Sequence, residues 1–135
     1  MKKVLAVEYN MQKMRSINEV CKKLNIDIEW FFTINPDLIE YFREHQNEFS
    51  GIILELGLPI WDKHGKPHHN RLLGLELVEE LTRKKIEIPI LINSKTTIDL
   101  PEIMKNHKNV KGQTSCFAED IQKHQKEIES FINTL

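Results

Sequence analysis

Cysteine is scarce. Cys21 and Cys116 are the two thiols in 135 residues, and they stand far apart with no CxxC spacing. That excludes a disulfide framework and a thioredoxin-like redox motif, and it points to reduced thiols. No apolar run approaches the ~20 residues that a membrane-spanning helix needs. The first residues, MKKVLAVEYN, carry a lysine pair like that of a signal peptide, but Glu8 ends the apolar run too early for one. A cytoplasmic protein without a membrane partner is expected. The formal net charge of −1 holds no basic excess, so nothing in the balance calls for nucleic acid. Internal repeats, linkers and low-complexity tracts are also missing. What is present is an ordinary globular mixture, long enough to enclose a core, and residues 1–135 read as a single domain.

Hydrophobic periodicity divides the chain into alternating elements. KKVLAVE, from Lys2 to Glu8, is a short apolar run and reads as a buried strand. Asn10 is a suitable N-cap for the helix that follows, where Met11, Met14, Ile17, Val20, Cys21 and Leu24 recur at spacings of three and four. IDIEWFFTI is rich in β-branched and aromatic residues and reads as a second strand. Asn35 as N-cap and Pro36 at the first helical position start a helix whose stripe is Leu38, Ile39, Tyr41 and Phe42. SGIILEL is a third strand, and a loop is expected from Gly57 to about Asn70. RLLGLELVEELTRKK is amphipathic, with Leu73, Leu77, Val78 and Leu81 facing inward, and PILINS is a fourth strand. A short helix is expected near Asp99 or Pro101, and NVKGQTS reads as a weak fifth strand. The last helix carries Ile121, His124, Ile128, Phe131 and Ile132 on or near one side.

Strands alternating with helices predict an α/β domain: a parallel sheet covered on both faces. Five strands in the flavodoxin-like order 2-1-3-4-5 is the simplest right-handed solution. Ligands in such folds bind beyond the carboxyl ends of the strands. Glu8 and Tyr9 end the first strand, Glu55 the third, and Ser94 and Lys95 the fourth. In that order these three strands are neighbours, so two carboxylates, a hydroxyl and an amine converge.

These segments resemble a response-regulator receiver domain, in the same order and over nearly the whole chain. KVLAVEYN is similar to the family's first strand with its acidic pair, and GIILELGLP to the third strand with its phospho-accepting aspartate. GLELVEEL is similar to the start of the third helix, and IPILINSK to the fourth strand with its Ser/Thr switch. The resemblance implies a phosphoacceptor pocket of Glu8, Tyr9, Glu55, Ser94 and Lys95, and an altered one. One acid of the pair is Tyr9, the aspartate position holds Glu55, and Lys95 follows Ser94 where the family has a small residue. The family's Lys-Pro has no counterpart in KGQTSCFAED, where Ser115 and Cys116 stand roughly at that place and Lys111 comes too early.

Phosphoryl uptake in receivers relies on positioning, Mg²⁺ and a lysine. Glu55 is one methylene longer than aspartate; a displacement of ~1 Å costs about 100-fold in rate. No catalytic residue is therefore expected. Glu8 and Glu55 close together repel unless a cation intervenes. Lys95 in an ion pair with Glu55 is one candidate; its rival is Mg²⁺ held by Glu8, Glu55 and the Gly57 carbonyl. Tyr9 is expected to plug the space a metal would fill. His64, His68 and His69 read as part of a solvated turn, although imidazoles there are zinc-ligand types. Trp61, beside Ile60, is a partner-contact candidate.

The function expected is a stand-alone pseudo-receiver that binds another signalling protein without phosphorylation and without a required cofactor. In the family, the face of the fourth helix, fifth strand and fifth helix commonly docks or dimerises, so a homodimer is the implied assembly. The alternatives are a Mg²⁺-dependent phosphorelay receiver modified at Glu55 and a small-ligand sensor using the strand-end crevice.

Overall fold

The structure, a computed structural model, describes residues 2–33, 36–56, 58–61, 63–70, 72–93, 107–114 and 120–135. In chain order the elements are β1 (Lys3–Val7), α1 (Met11–Lys23), β2 (Asp27–Phe31), α2 (Pro36–His45), β3 (Gly51–Leu54), β4 (Leu58–Trp61), β5 (Pro67–Asn70), α3 (Leu72–Arg83), β6 (Ile90–Ile92), β7 (Val110–Gln113) and α4 (Ile121–Asn133). Five strands form one parallel sheet in the order β2-β1-β3-β6-β7. With the β4–β5 pair set aside, this is the expected 2-1-3-4-5 order.

Period-two alternation sorts the strand residues onto two faces. Leu5, Val7, Ile52, Leu54, Ile90 and Ile92 pack with Leu38 and Phe42 of α2 and Leu77, Val78 and Leu81 of α3. Val4, Ala6, Ile53 and Leu91 pack with Ile17, Val20 and Cys21 of α1 and Ile128, Phe131 and Ile132 of α4. Two apolar layers therefore enclose the sheet. Burial of each Leu or Ile contributes roughly 1.5–3 kcal/mol against chain entropy.

Helix ends follow local rules. The Asn10 side chain accepts a hydrogen bond from the Lys13 backbone N–H at 3.1 Å, and so caps α1 as expected. At the far end Asn25 turns to φ 57°, and Ile26 N–H bonds the Cys21 carbonyl at 2.8 Å. This left-handed stop closes the helix and drops the chain into β2. Lys85 repeats the device after α3 at φ 59°.

Three expectations are corrected. The stretch from Gly57 to Asn70, expected as a loop, contains an antiparallel hairpin in which Leu58 pairs with Asn70 and Trp61 with Pro67. Its sequence is proline- and histidine-rich, and strand alternation is not visible in it. Met11, expected on the inner face of α1, is 79% exposed, while Lys13 is 1% exposed. The helix is rotated so that Lys13, Ile17 and Val20 centre its buried face. Ile121, expected inward, is exposed in the first turn of α4. The helix expected near Asp99 or Pro101 and the Asn35 cap lie outside the described residues. Among the described residues no helix is long and apolar enough to cross a membrane.

Candidate functional site

The sheet ladder continues one residue beyond each central strand. Glu8 N–H bonds the Phe31 carbonyl at 3.0 Å, and Glu55 N–H bonds that of Val7 at 2.9 Å. Asn93 N–H bonds the Leu54 carbonyl at 2.7 Å, and Thr114 N–H that of Ile92 at 2.8 Å. Glu8, Glu55, Asn93 and Thr114 thus stand side by side, held by backbone, on four neighbouring strands. Alternation puts Glu8 two residues past Ala6, Glu55 past Ile53 and Asn93 past Leu91, on the face covered by α1 and α4. All four are buried.

Lys13 descends on this row from the first turn of α1. Its ammonium pairs with Glu55 Oε2, stands 3.3 Å from Glu8 Oε2 and donates to the Asn93 carbonyl at 3.4 Å. Three oxygens from three strand ends therefore surround one cation. Glu8 has further partners. Its Oε1 accepts the backbone N–H groups of Tyr9 at 3.1 Å and Asn10 at 3.0 Å, and its Oε2 accepts the Asn93 side-chain amide at 2.8 Å. Because Asn93 donates through Nδ2, its Oδ1 is an acceptor. It receives the Thr114 hydroxyl at 3.2 Å and faces His124 Nε2 at 2.7 Å, so His124 carries its proton on Nε2. One buried polar chain runs from the acids to α4.

Burial pushes the Glu8 carboxyl up to about 7; Lys13 opposes this and Glu55 adds to it. Burial is the larger cause and outweighs the pull of the Lys13 ammonium. Burial, reinforced by Lys13, pushes His124 down to about 4, and the ring is neutral at neutral pH.

With Lys13 in place the cleft does not fit a divalent cation. The ammonium stands between the carboxylates that would ligate such an ion, and Tyr9 replaces the third acid. A +2 ion about 4 Å from an ammonium is repelled by roughly 8 kcal/mol, twice the unit-charge value at an effective dielectric constant near 20. Among the described residues no cluster of three or more His, Cys, Asp and Glu is placed to hold a metal.

The expected convergence of Glu8 and Glu55 is present, and among the described residues Lys13 supplies a cation between them. Tyr9 is 42% exposed at the rim, so Lys13, and not the tyrosine ring, fills the space between the acids. Ser94, Lys95, Gly57, Ser115 and Cys116 lie outside the described residues. Ile60 and Trp61 fall on β4, and His68 and His69 on β5, paired with Ile60 and Pro59. His64 is exposed in the turn between those strands. Lys111 is skipped by the β6–β7 register and donates to the Lys108 carbonyl at 2.9 Å, engaged at the opposite end of its strand from the cleft. Sequence reasoning missed Lys13 and Asn93, and placed His124 on the apolar side of the last helix without a role in the cleft. Lys13 and Ile17 are four residues apart, a same-face spacing that was available as a signal, as was the polar residue ending each apolar strand.

No family model matches the chain, and no curated protein matches it. Solved structures do. The receiver domain of Francisella response regulator 1452 superposes with a TM-score of 0.67 at 15% identity, over 99% of this chain and 98% of that one. The Mn(2+)-bound form of response regulator Rcp1 gives 0.68 at 16%, over 96% and 91%. A de novo designed Rossmann 2x3 protein gives 0.62 at 16%, over 99% and 91%. The chain thus has the response-regulator receiver fold, with a flavodoxin-like sheet. Likeness at this identity speaks to fold; function has to be argued from the cleft.

Proposed function

We propose that this chain is a receiver-fold signalling domain that operates without phosphoryl transfer, by binding another signalling protein. The observation that carries this reading is the Lys13 ammonium buried between Glu8 and Glu55. A phospho-accepting carboxylate must present a free oxygen in line with the donor, with cations arrayed around the incoming phosphoryl group. Here Glu55 is 5% exposed and spends an oxygen on Lys13. The charge that would balance a phosphoryl group is already consumed inside the protein. No catalytic residue and no cofactor are assigned, and the protein acts in the cytoplasm.

The polar chain from Lys13 through Asn93 to His124 supports one fixed arrangement of β6, β7 and α4. A domain held in one arrangement communicates by presenting a constant surface to its partner. Trp61 and Ile60 on the β4 strand remain the proposed contact residues, and self-association is the second assembly to examine. Incubation of the full chain with acetyl phosphate and Mg²⁺, followed by intact mass, tests the reading. No adduct is expected, and beryllofluoride is expected to leave the melting temperature unchanged. A Mg²⁺-dependent phosphoryl adduct on Glu55 overturns it and restores the phosphorelay alternative.

A further inference from the structure

We infer that the surface at the amino ends of the strands, opposite the cleft, is a lysine face that adsorbs to an anionic lipid bilayer. The inference goes beyond the proposed partner-binding reading and does not depend on the cleft. The expectation of no membrane partner came from the missing apolar span and the net charge of −1, and neither bears on where the charges lie. All five strands of the parallel sheet start at one end of the molecule. Lys2 precedes β1, Lys22 closes α1 ahead of β2, Lys84 and Lys85 link α3 to β6, and Lys108 and Lys111 flank the start of β7. Backbone contacts gather them into two clusters. Asp27 N–H bonds the Lys2 carbonyl at 3.1 Å, and Asn25 N–H that of Lys22 at 3.2 Å. Across the sheet, Asn109 Nδ2 donates to the Ile86 carbonyl at 3.4 Å, and Lys111 Nζ to that of Lys108 at 2.9 Å. Three strand spacings separate the β2–β1 side from the β6–β7 side, roughly 15 Å.

Nearby acids leave much of this charge uncompensated. Glu29 pairs with Lys3 at 3.2 Å, Glu129 with Lys23 at 3.2 Å, Glu80 with Arg83 at 2.8 Å, and Glu87 with Lys108. Lys2, Lys22, Lys84 and Lys85 are exposed and have no ion-pair partner among the described residues. The plainer account is that cations in a last turn complement the helix dipole. It covers Lys22, but not Lys2, Lys85 or Lys111, which stand outside any helix. The occupant is read from what accompanies the charge. The exposed large apolar side chains Tyr9, Met11, Phe32 and Ile121 follow the carboxyl ends of strands or open helices, at the other end of the molecule. Among the described residues the lysine face thus lacks an aromatic anchor of the kind that carries a protein interface or stacks on bases. Lysine is a hydrated point charge on a flexible stem, without the planar fork of arginine, and it suits phosphates that are spread out and mobile. Two lysine clusters at one level fit a flat anionic bilayer, which attracts basic residues within a Debye length. Adsorption by this face turns the cleft away from the bilayer.

The test is co-sedimentation of the full chain with vesicles of phosphatidylcholine alone and of phosphatidylcholine mixed with phosphatidylserine. The wild type is expected to partition onto the mixed vesicles and not onto phosphatidylcholine. Partitioning should be lost on going from about 0.1 M to about 1 M NaCl, as the Debye length shrinks from ~10 to ~3 Å. Each lysine near an anionic surface contributes about fivefold to partitioning, so Lys22→Gln/Lys85→Asn, one change in each cluster, should bind roughly 25-fold more weakly. Asparagine is chosen at Lys85 because it tolerates the φ of 59° there. Should that variant melt below wild type, Lys22→Gln/Lys84→Gln takes its place. Lys63→Gln/Lys123→Gln removes the same charge from the β4–β5 turn and the first turn of α4, and should retain wild-type partitioning. Equal binding to both vesicle types overturns the inference, as does an equal loss in the two double variants. So does tighter binding, at equal charge, to a short DNA duplex or to polyglutamate, which assigns the face to nucleic acid or to an acidic protein. Loss of this inference leaves the functional proposal standing, since that proposal is decided by phosphodonor treatment of the wild type.

Discussion

Removing the Lys13 ammonium should be among the costliest single changes available to this chain. The side chain is 1% exposed and its two carboxylate partners are 1% and 5% exposed as residues, so water can replace little of what is lost. Deleting one partner of a buried ion pair costs about 3–5 kcal/mol. That is a large share of the roughly 5–15 kcal/mol by which a domain is stable. With a urea m-value near 2 kcal/mol/M, the midpoint should fall by about 1.5–2.5 M. Trp30, packed against the α1–α4 layer, gives a fluorescence signal for the transition. The companion variant Lys13→Met/Glu55→Gln removes the stranded charge as well. It should be more stable than Lys13→Met alone, with a coupling of up to about 3 kcal/mol. A loss below ~1 kcal/mol for Lys13→Met, or strictly additive effects in the cycle, would refute the reasoning. Either result would mean that Lys13 sits in water and not between the carboxylates.

Other outcomes follow from the same structure. A Cβ on Gly74 of α3 would meet Leu56 Cδ2 at 2.6 Å and Leu56 Cα at 3.1 Å, so Gly74→Ala should push α3 away from the segment after Glu55. Overpacking of this kind costs about 1–3 kcal/mol, and a midpoint equal to wild type would contradict it. Acid should affect the fold through two opposed groups. Native Glu8 keeps its proton up to about 7 against 4.5 for an ordinary glutamate, which favours the fold as pH falls from 7 toward 4.5. Native His124 declines a proton until about 4 against 6.5, which disfavours the fold over the overlapping range. His124→Asn removes the second effect, so it should gain melting temperature on acidification relative to wild type; parallel pH profiles would exclude this account. Burial pushes the Cys21 thiol up to about 11, so it should react with a disulfide reagent only on unfolding. Rapid labelling of Cys21 in the native chain, read by peptide mass, would contradict its burial.

The alternation of apolar strands with amphipathic helices placed β1, β2, β3, β6, β7 and all four described helices in the right order before any coordinates. It also brought Glu8 and Glu55 to neighbouring strand ends, because the side-chain periods of two and 3.6 are local properties written in the residue types. The hairpin from Leu58 to Asn70 was not legible, because its pairing joins residues whose composition reads as a turn. Nor was the role of Lys13. A lysine among polar neighbours on α1 has the sequence signature of a solvated side chain, and Met11 and Met14 argued for a different helix rotation. Rotation of a helix about its axis is decided where it docks, by the fit of Ile17, Val20 and Cys21 against the sheet and α4. Once that fit turns Lys13 inward, two buried carboxylates make the same position a place where a positive charge is stabilised.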